Sequence, residues 1–427
     1  MRGWLLLSLT VGLAASITLS ETTLVVLAIW LVLGPRPASP SPRWPLLAPL
    51  SAFAGWTVVA VLASARPMES LLAARGLLTL GAFYVALYAL PDARAAGRFA
   101  TGLFIAVAVV ALLSIAQVGF CPAEGTVTSG AAPIRLLFRK CARARGFFSI
   151  YMTLAGVLLL VLLSALPRLA LAGRRAAWAV PAWLASVLAL GLTEVRGAWV
   201  GFAVGGVGCA LALRRRWIVL AALALVVAGA LAAEPSTLKR LRSVGDLRDE
   251  TTRDRLAMLV AGLGLARAHP IVGIGPGQVK NVYPAVAPPE ALRRSTSHLH
   301  DTPLQIVVER GLPGLVAWTA IWVAFFRRAV RVLRRIPRSD DDARALVIGS
   351  MAAIAAFLVA GLFEYNFGDT EVLLMALSLM ALPFVVERGL GPLAPDAPDD
   401  QRRRAPSFLT RQFSRTSASS WLRRNVS

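Results

Sequence analysis

The chain has 427 residues, 57% hydrophobic and only 16% charged, with a formal net charge of +22. Soluble chains run nearer ~25% charged, so the composition excludes an ordinary soluble globular protein. It also excludes a nucleic-acid binder, because the arginines punctuate apolar segments instead of gathering on one soluble face, as positive-inside topology requires. Apolar runs of roughly 17–21 residues recur along nearly the whole length, the pattern of an all-α polytopic membrane protein. Lipid forces every backbone group to be satisfied within a helix, and a β-barrel would show short alternating segments.

In chain order, the hydrophobic-length criterion predicts about twelve spans. They lie near 4–19, 20–34, 44–64, 70–90, 98–118, 147–165, 177–193, 197–213, 217–233, 303–325, 344–363 and 370–387. The first two read as a retained helical hairpin: Met1–Leu19 lacks a small-residue cleavage site, and Thr22–Leu33 follows at once. With a cytoplasmic N-terminus the inner loops hold Arg36 and Arg43, Arg94 and Arg98, then Arg168, Arg174 and Arg175. Arg214, Arg215 and Arg216 follow, and then a dense set from Arg327 to Arg338. Nearly every inner loop is basic, so both termini are expected in the cytoplasm. Residues 1–390 then form one integral membrane domain. Residues 391–427, Pro- and Asp-rich and then Arg- and Ser-rich, read as a disordered basic tail.

Two outer loops break the charge rule. Gly119–Gly146 carries Arg135, Arg139, Lys140, Arg143 and Arg145, and the long loop at 234–302, between spans nine and ten, carries ten basic residues from Lys239 to Arg294. Long loops cross despite their charge. A cationic outer surface suits either anionic headgroups or an anionic ligand such as a lipid-linked pyrophosphate. Cys121 and Cys141 bracket the first basic loop. A bridge between them would close about twenty residues and contribute ~3 kcal/mol in the chain-entropy model. No Cys/His spacing resembles a metal site.

Polar groups gather at outer span ends. TEVRGAWVG places Glu194 and Arg196 at a break between two spans, with Gly197 beside the guanidinium. Arg75, inside a span, either reaches outward or lines a cavity. In the long loop, Leu256, Leu259, Val260 and Leu263 recur at helical spacing after Arg253 and Arg255. His269–Pro270 ends that helix, and IVGIGPG follows as a turn whose backbone N–H groups would face an anion. No strand precedes it, so a dinucleotide-binding reading fails. STSHLHDTPLQ then carries two of the three histidines to the mouth of a helix, where water meets membrane. Histidine suits proton transfer near neutral pH, and the N-terminus starting near Thr302 favours anions. His300, Asp301, Leu304, Gln305, Glu309, Gly311 and Gly314 form a continuous helical pattern.

The sequence resembles the O-antigen ligase / O-antigen polymerase family of bacterial membrane glycosyltransferases. His300, Leu304 and Gly311 match that family's loop-to-helix spacing, and His298 does not; Asp301 stands where the family usually has Asn, Ser or Gln. RARGFFSIYMTLAG, LTEVRGAWVG, RDRLAMLVAGLGLARAHPIVGIGPG and GLFEYNFGDTEVLLM resemble further family segments in the same order, over roughly residues 1–390. The resemblance implies a GT-C-type helical membrane fold in the bacterial inner membrane with a periplasmic active site. It implies a glycan donor on undecaprenyl pyrophosphate and an acceptor hydroxyl, on a lipid A–core sugar for a ligase or a lipid-linked glycan for a polymerase. It implies neither a nucleotide sugar nor a metal ion, and no other cofactor. Arg196 and Arg255 would hold the pyrophosphate, with Arg145 and Arg253 as second choices. His300 would accept the acceptor's proton or orient its hydroxyl, and Glu309 and Asp301 would orient neighbours. The late GLFEYNFGDTEV segment tilts the reading toward ligase. A twelve-span secondary transporter is the rival from another class, but its ionisable groups would sit at the midplane within inverted repeats.

Overall fold

The computed structural model describes residues 2–34, 44–122, 125–126, 131, 138, 140–172, 176–213 and 250–390. Among them every regular element is helical. Six helical segments are long and apolar enough to cross a membrane, by length and composition: Pro67–Ala89, Ala93–Gly119, Tyr151–Leu171, Thr302–Arg335, Asp341–Ala360 and Thr370–Gly389. Five shorter apolar helices accompany them. Eleven of the expected spans thus coincide with helical segments, and the one at 217–233 lies outside the described residues, as does the basic tail.

The first five helices are α1 (Arg2–Ala15), α2 (Ile17–Leu33), α3 (Leu47–Leu62), α4 (Pro67–Ala74) and α5 (Gly81–Ala89). The hairpin α1–α2 turns at Ser16, whose side chain accepts from Leu19 N–H. The span expected at 70–90 is not one α-helix: a 3-10 stretch, Arg75–Leu80, separates α4 from α5. Arg75 opens that stretch and is exposed. Asp92 caps α6 (Ala93–Gly119), with its carboxylate 2.7 Å from Ala95 N.

The centre of the bundle is α7 (Tyr151–Ala172) against α13 (Asp341–Ala360) and α14 (Thr370–Met380), with α15 (Leu382–Gly389) packed on α13. Small residues let these helices approach closely. A Cβ on Gly349 would lie 2.3 Å from Ser164 O, and one on Gly156 would lie 2.7 Å from Val372. Beside these helices run α8 (Ala179–Leu192), against α7, and α9 (Arg196–Ala212), against both α7 and α13. Helix α9 lays Gly197, Gly201 and Gly205, one every fourth residue, against Phe363, Ala356 O and Ala352 O. That stripe is the small-residue packing by which apolar helices associate where no hydrophobic drive separates them from lipid.

Three more helices complete the set among the described residues: α10 (Glu250–Ala268), α11 (Val279–Val286) and α12 (Thr302–Arg335). They share a second apolar cluster, apart from the bundle core, of which Met258, Leu265, Val279, Tyr283, Leu299 and Val308 are members. Helix α12 is longer than the span expected at 303–325, and it is broken. At Gly311 the backbone takes φ 67° and ψ −176°, so the expected continuous pattern from His300 to Gly314 does not exist. His300 itself, at φ 52°, precedes the helix. Pro313 lacks an N–H, and Leu312 N–H leaves the helical ladder to donate to Pro270 O at 2.8 Å. A Cβ on Gly311 would stand 1.9 Å from Ile271 O, so only glycine fits.

Candidate active site

The break in α12 is filled by the turn that follows α10. Ile274 N–H donates to Val308 O and Gly275 N–H to Glu309 O, at 2.9 and 3.1 Å. Gly277 N–H donates to the Glu309 carboxylate at 2.8 Å. The expectation that IVGIGPG turns its N–H groups toward a bound anion is therefore corrected. Three of those groups, on Ile274, Gly275 and Gly277, meet α12, the last on the chain's own Glu309 carboxylate, and Gly273 N–H donates to His269 O. Glu309 also accepts from Gln305 Nε2 and pairs with Arg310, both at 2.7 Å, with the Glu309 and Arg310 side chains almost wholly buried. Arg310 lies 3.2 Å from Thr57 Oγ1 and over the Phe53 ring. A buried carboxylate demands this many donors. The neighbours of Glu309 are the turn and Gln305, whose Oε1 accepts from Leu299 N–H at 2.8 Å. Through them it holds the loop that ends at His300.

His300 meets a residue that the sequence reading did not single out. Its Nδ1 is 2.7 Å from Glu364 Oε2, and Arg255 Nη2 is 2.6 Å from Glu364 Oε1. One carboxylate thus receives the expected base and one expected arginine. Glu364 lies in the loop after α13, and that loop is fastened to the start of α12. Thr302 N–H donates to Gly361 O, and Thr302 Oγ1 sits 2.9 Å from Glu364 O and 3.1 Å from Asn366 Oδ1.

Helix α10 aims Arg255 by way of Asp254. That buried carboxylate accepts from Leu292 and Arg293 N–H, at 2.9 and 3.1 Å. Successive helical residues diverge by about 100°. With Asp254 turned inward, Arg255 reaches Glu364 on one side and Arg253 is left exposed on the other. Arg145 Nη1 lies 3.4 Å from Phe148 O and 3.5 Å from Ser149 O, within its own turn. Asp301 caps α12, its Oδ1 2.7 Å from Leu304 N, and burial raises its pKa. Arg196 is the first residue of α9, and no side chain caps that helix at Val195. Gly197 packs on Phe363, so this helix start adjoins the Glu364 loop. Glu194, at φ 56°, pairs with Arg143 at 2.8 Å. Cys121 and Cys141 form a disulfide with Cα atoms 5.5 Å apart.

Two cavities meet at the histidines. One, of about 220 Å³, is walled mainly by apolar side chains of α7, α9, α13 and α14. Val195, Ala198, His298, Glu364 and Asp369 are among its lining residues. The other, of about 480 Å³, is polar and open, bounded by Lys280, Arg293, Ser295, Thr296, Ser297, His298 and His300. His298 lines both, its ring 4.3 Å from that of His300 in an edge-on contact. Burial, and then the neighbouring His300, push the His298 pKa down to about 4, so it stays neutral near pH 7.

Residues 180–319 match the family model described as O-antigen ligase. The chain carries a domain of the O-antigen ligase family. No curated protein matches the chain. The domain takes in α8 to α11 and the broken start of α12, and so includes Arg196, Arg255, His298 and His300. The match is narrower than the resemblance over residues 1–390, and Glu364 lies beyond it. The O-antigen ligase match and the six described helices long and apolar enough to cross a membrane together support a membrane protein, and the matched domain supports a function of the O-antigen ligase/polymerase type in general. That family implies a lipid-linked glycan and an acceptor glycan.

Proposed function

We propose that the protein is an O-antigen ligase. It moves a glycan from undecaprenyl pyrophosphate to a lipid A–core sugar hydroxyl at the periplasmic face of a GT-C-like inner-membrane enzyme of about twelve spans. The single observation that carries this reading is Glu364, which holds His300 and Arg255 on its two carboxylate oxygens. With the neutral imidazole protonated at Nδ1, His300 donates to Glu364, and Nε2 becomes the basic nitrogen. The acceptor O–H attacks the anomeric carbon, and the bond from that carbon to the pyrophosphate oxygen breaks. Nε2 takes the acceptor's proton, and undecaprenyl pyrophosphate leaves. Arg255 spends one N–H on Glu364 and keeps the rest of its donor fork for the departing charge. Arg196 adds a second permanent cation at a helix start that favours anions. The pair of cavities supports the same reading: an apolar chamber suits the lipid-linked donor, and an open polar one suits a glycan acceptor.

The test is deletion of the gene, with envelope glycans run on a gel and complementation by wild type, His300→Ala or Arg196→Ala. A ligase leaves lipid A–core bare while lipid-linked polymer of normal length accumulates, and neither variant restores transfer despite normal membrane insertion. Glycans that stop at one repeat unit would make the protein a polymerase instead. Near-normal transfer by a variant would remove that residue from the mechanism, and an unchanged profile would sink the reading altogether.

A further inference from the structure

Helix α10 is apolar on two faces. One face buries Met258, Ala261 and Leu265 against the turn and the start of α12. The other is the stripe Leu256, Leu259, Val260 and Leu263, and the spacing that revealed this helix in the sequence is that of its outward face. These side chains are 46, 39, 55 and 42% exposed. A row of four large aliphatic side chains along two turns is not a scatter of single surface residues, and contiguous exposed patches mark an interaction surface.

We propose that the outward face of α10 lies in the outer leaflet, as an interfacial helix at the headgroup–acyl boundary. Continuity favours the bilayer as the occupant. Past the end of α10 the apolar surface runs on through Ile271, 64% exposed, to Leu312 and Val316 on α12, 55 and 67% exposed. The bond from Leu312 N–H to Pro270 O places Ile271 beside the first turn of the long apolar part of α12. That part is one of the segments able to cross a membrane, so its lipid-facing side and the α10 stripe form one surface. Charge agrees: Arg253 and Arg267 flank the stripe, both exposed, as on helices that lie among anionic headgroups. Arg255 sits on the flank of the same helix, about a quarter turn from the stripe, and reaches Glu364, so the depth of α10 fixes the height of that cation above the lipid. The placement does not depend on the proposed chemistry.

The experiment uses the full chain with Cys209→Ala in nanodiscs of phosphatidylethanolamine and phosphatidylglycerol. Single spin-labelled cysteines replace Leu256, Val260 or Leu263. Val316→Cys serves as the lipid reference, and Glu290→Cys, at an exposed loop position, as the water reference. Collision rates with O2, which enters the bilayer, and with a water-soluble nickel chelate are then compared. The expected O2-to-nickel ratio at all three positions approaches that of Val316 and stands several-fold above that of Glu290. A ratio like that of Glu290 would overturn the proposal. So would protection from both reagents with an immobilised spectrum, which means another part of this chain covers the stripe. Dipolar broadening that disappears on dilution with unlabelled chain would also overturn it, in favour of a second copy.

Discussion

Glu364 has an imidazole and a guanidinium on its two oxygens, and neither contact could be read from spacing, because Arg255 and Glu364 are 109 residues apart and His300 and Glu364 are 64 apart. The motif around it, GLFEYNFGDTEV, was legible as a segment; which of its three acidic residues faces the histidine was not. Its role is to position, and substitution can separate charge from shape. Glu364→Gln keeps one acceptor and the volume, yet removes the charge that orients the imidazole. We expect transfer to fall by roughly 10²-fold, the lower end of what general acid–base catalysis contributes, with insertion and the Cys121–Cys141 bridge unchanged. Near-wild-type transfer by the purified variant would show that His300 needs no carboxylate. His298 gives a second residue-scale prediction. With its pKa held at about 4 against an ordinary 6.5, the unfolded chain takes up a proton through that window that the folded chain refuses. Stability from this residue is therefore complete above about pH 6.5 and lost as pH falls towards 4. Histidine NMR titration in nanodiscs should show one ring neutral down to about pH 4, absent in His298→Gln, and the variant's acid unfolding should depend less steeply on pH. A His298 midpoint near 6.5 would contradict the burial that the structure gives it.

At the scale of elements, large apolar residues announced the helices but misreported their faces. Leu256, Leu259, Val260 and Leu263 are the conspicuous stripe of α10, yet Ala261 and Gly262 lie on its packed face, where a Cβ on Gly262 would be 2.7 Å from Leu304. Small residues decide which side can approach a neighbour, and lipid accepts the large ones. The same logic hides the Gly197, Gly201 and Gly205 stripe of α9 from a hydrophobicity count, although its four-residue period stands in the sequence. The break at Gly311 was hidden for a different reason: its cause, the docked turn at Pro270 and Ile271, comes from 40 residues earlier in the chain, 311 minus 271. Gly311→Ala forces a Cβ onto Ile271 O at a positive φ. It should cost about 1–3 kcal/mol in local strain, visible as a lower unfolding temperature in detergent together with lost transfer. Gly264→Ala, in α10 with no atom near the added Cβ, is the control and should be neutral or stabilising by up to ~1 kcal/mol. Equal unfolding temperatures for the two variants would mean that the break adapts to a side chain.

At the scale of the whole molecule, the sequence reading rested on arginine counts, and the structure gives two of those arginines, with Arg2 and Arg388 besides, partners at one end of the bundle. Arg328 and Arg335 pair with Glu387 at 2.7 and 3.7 Å. Arg2 donates to Ala89 O and Tyr88 O, and Arg388 donates to Leu90 O, so both meet the carbonyl end of α5. Cations at a helix C-terminus are favoured by its dipole, and cations at the inner face are favoured by insertion. Twenty-eight residues separate His300 from Arg328 along α12 (328 minus 300), and the helical part of that length carries the chain from the site to this basic end. The two ends must then lie in different compartments if α12 crosses the bilayer. Ser297 and Arg338, both exposed, report on them directly. In spheroplasts carrying the Cys209→Ala background, Ser297→Cys should react with a membrane-impermeant maleimide at once. Arg338→Cys should react only after the membrane is opened. The proposed chemistry requires this order, because a lipid-linked donor and a lipid A–core acceptor meet on the outer side. The reverse order would put Glu364, His300 and Arg255 in the cytoplasm and remove the donor from reach. Labelling of both from outside would mean that α12 does not span, and the broken helix would then need a different explanation from the membrane-surface position argued for its neighbour α10.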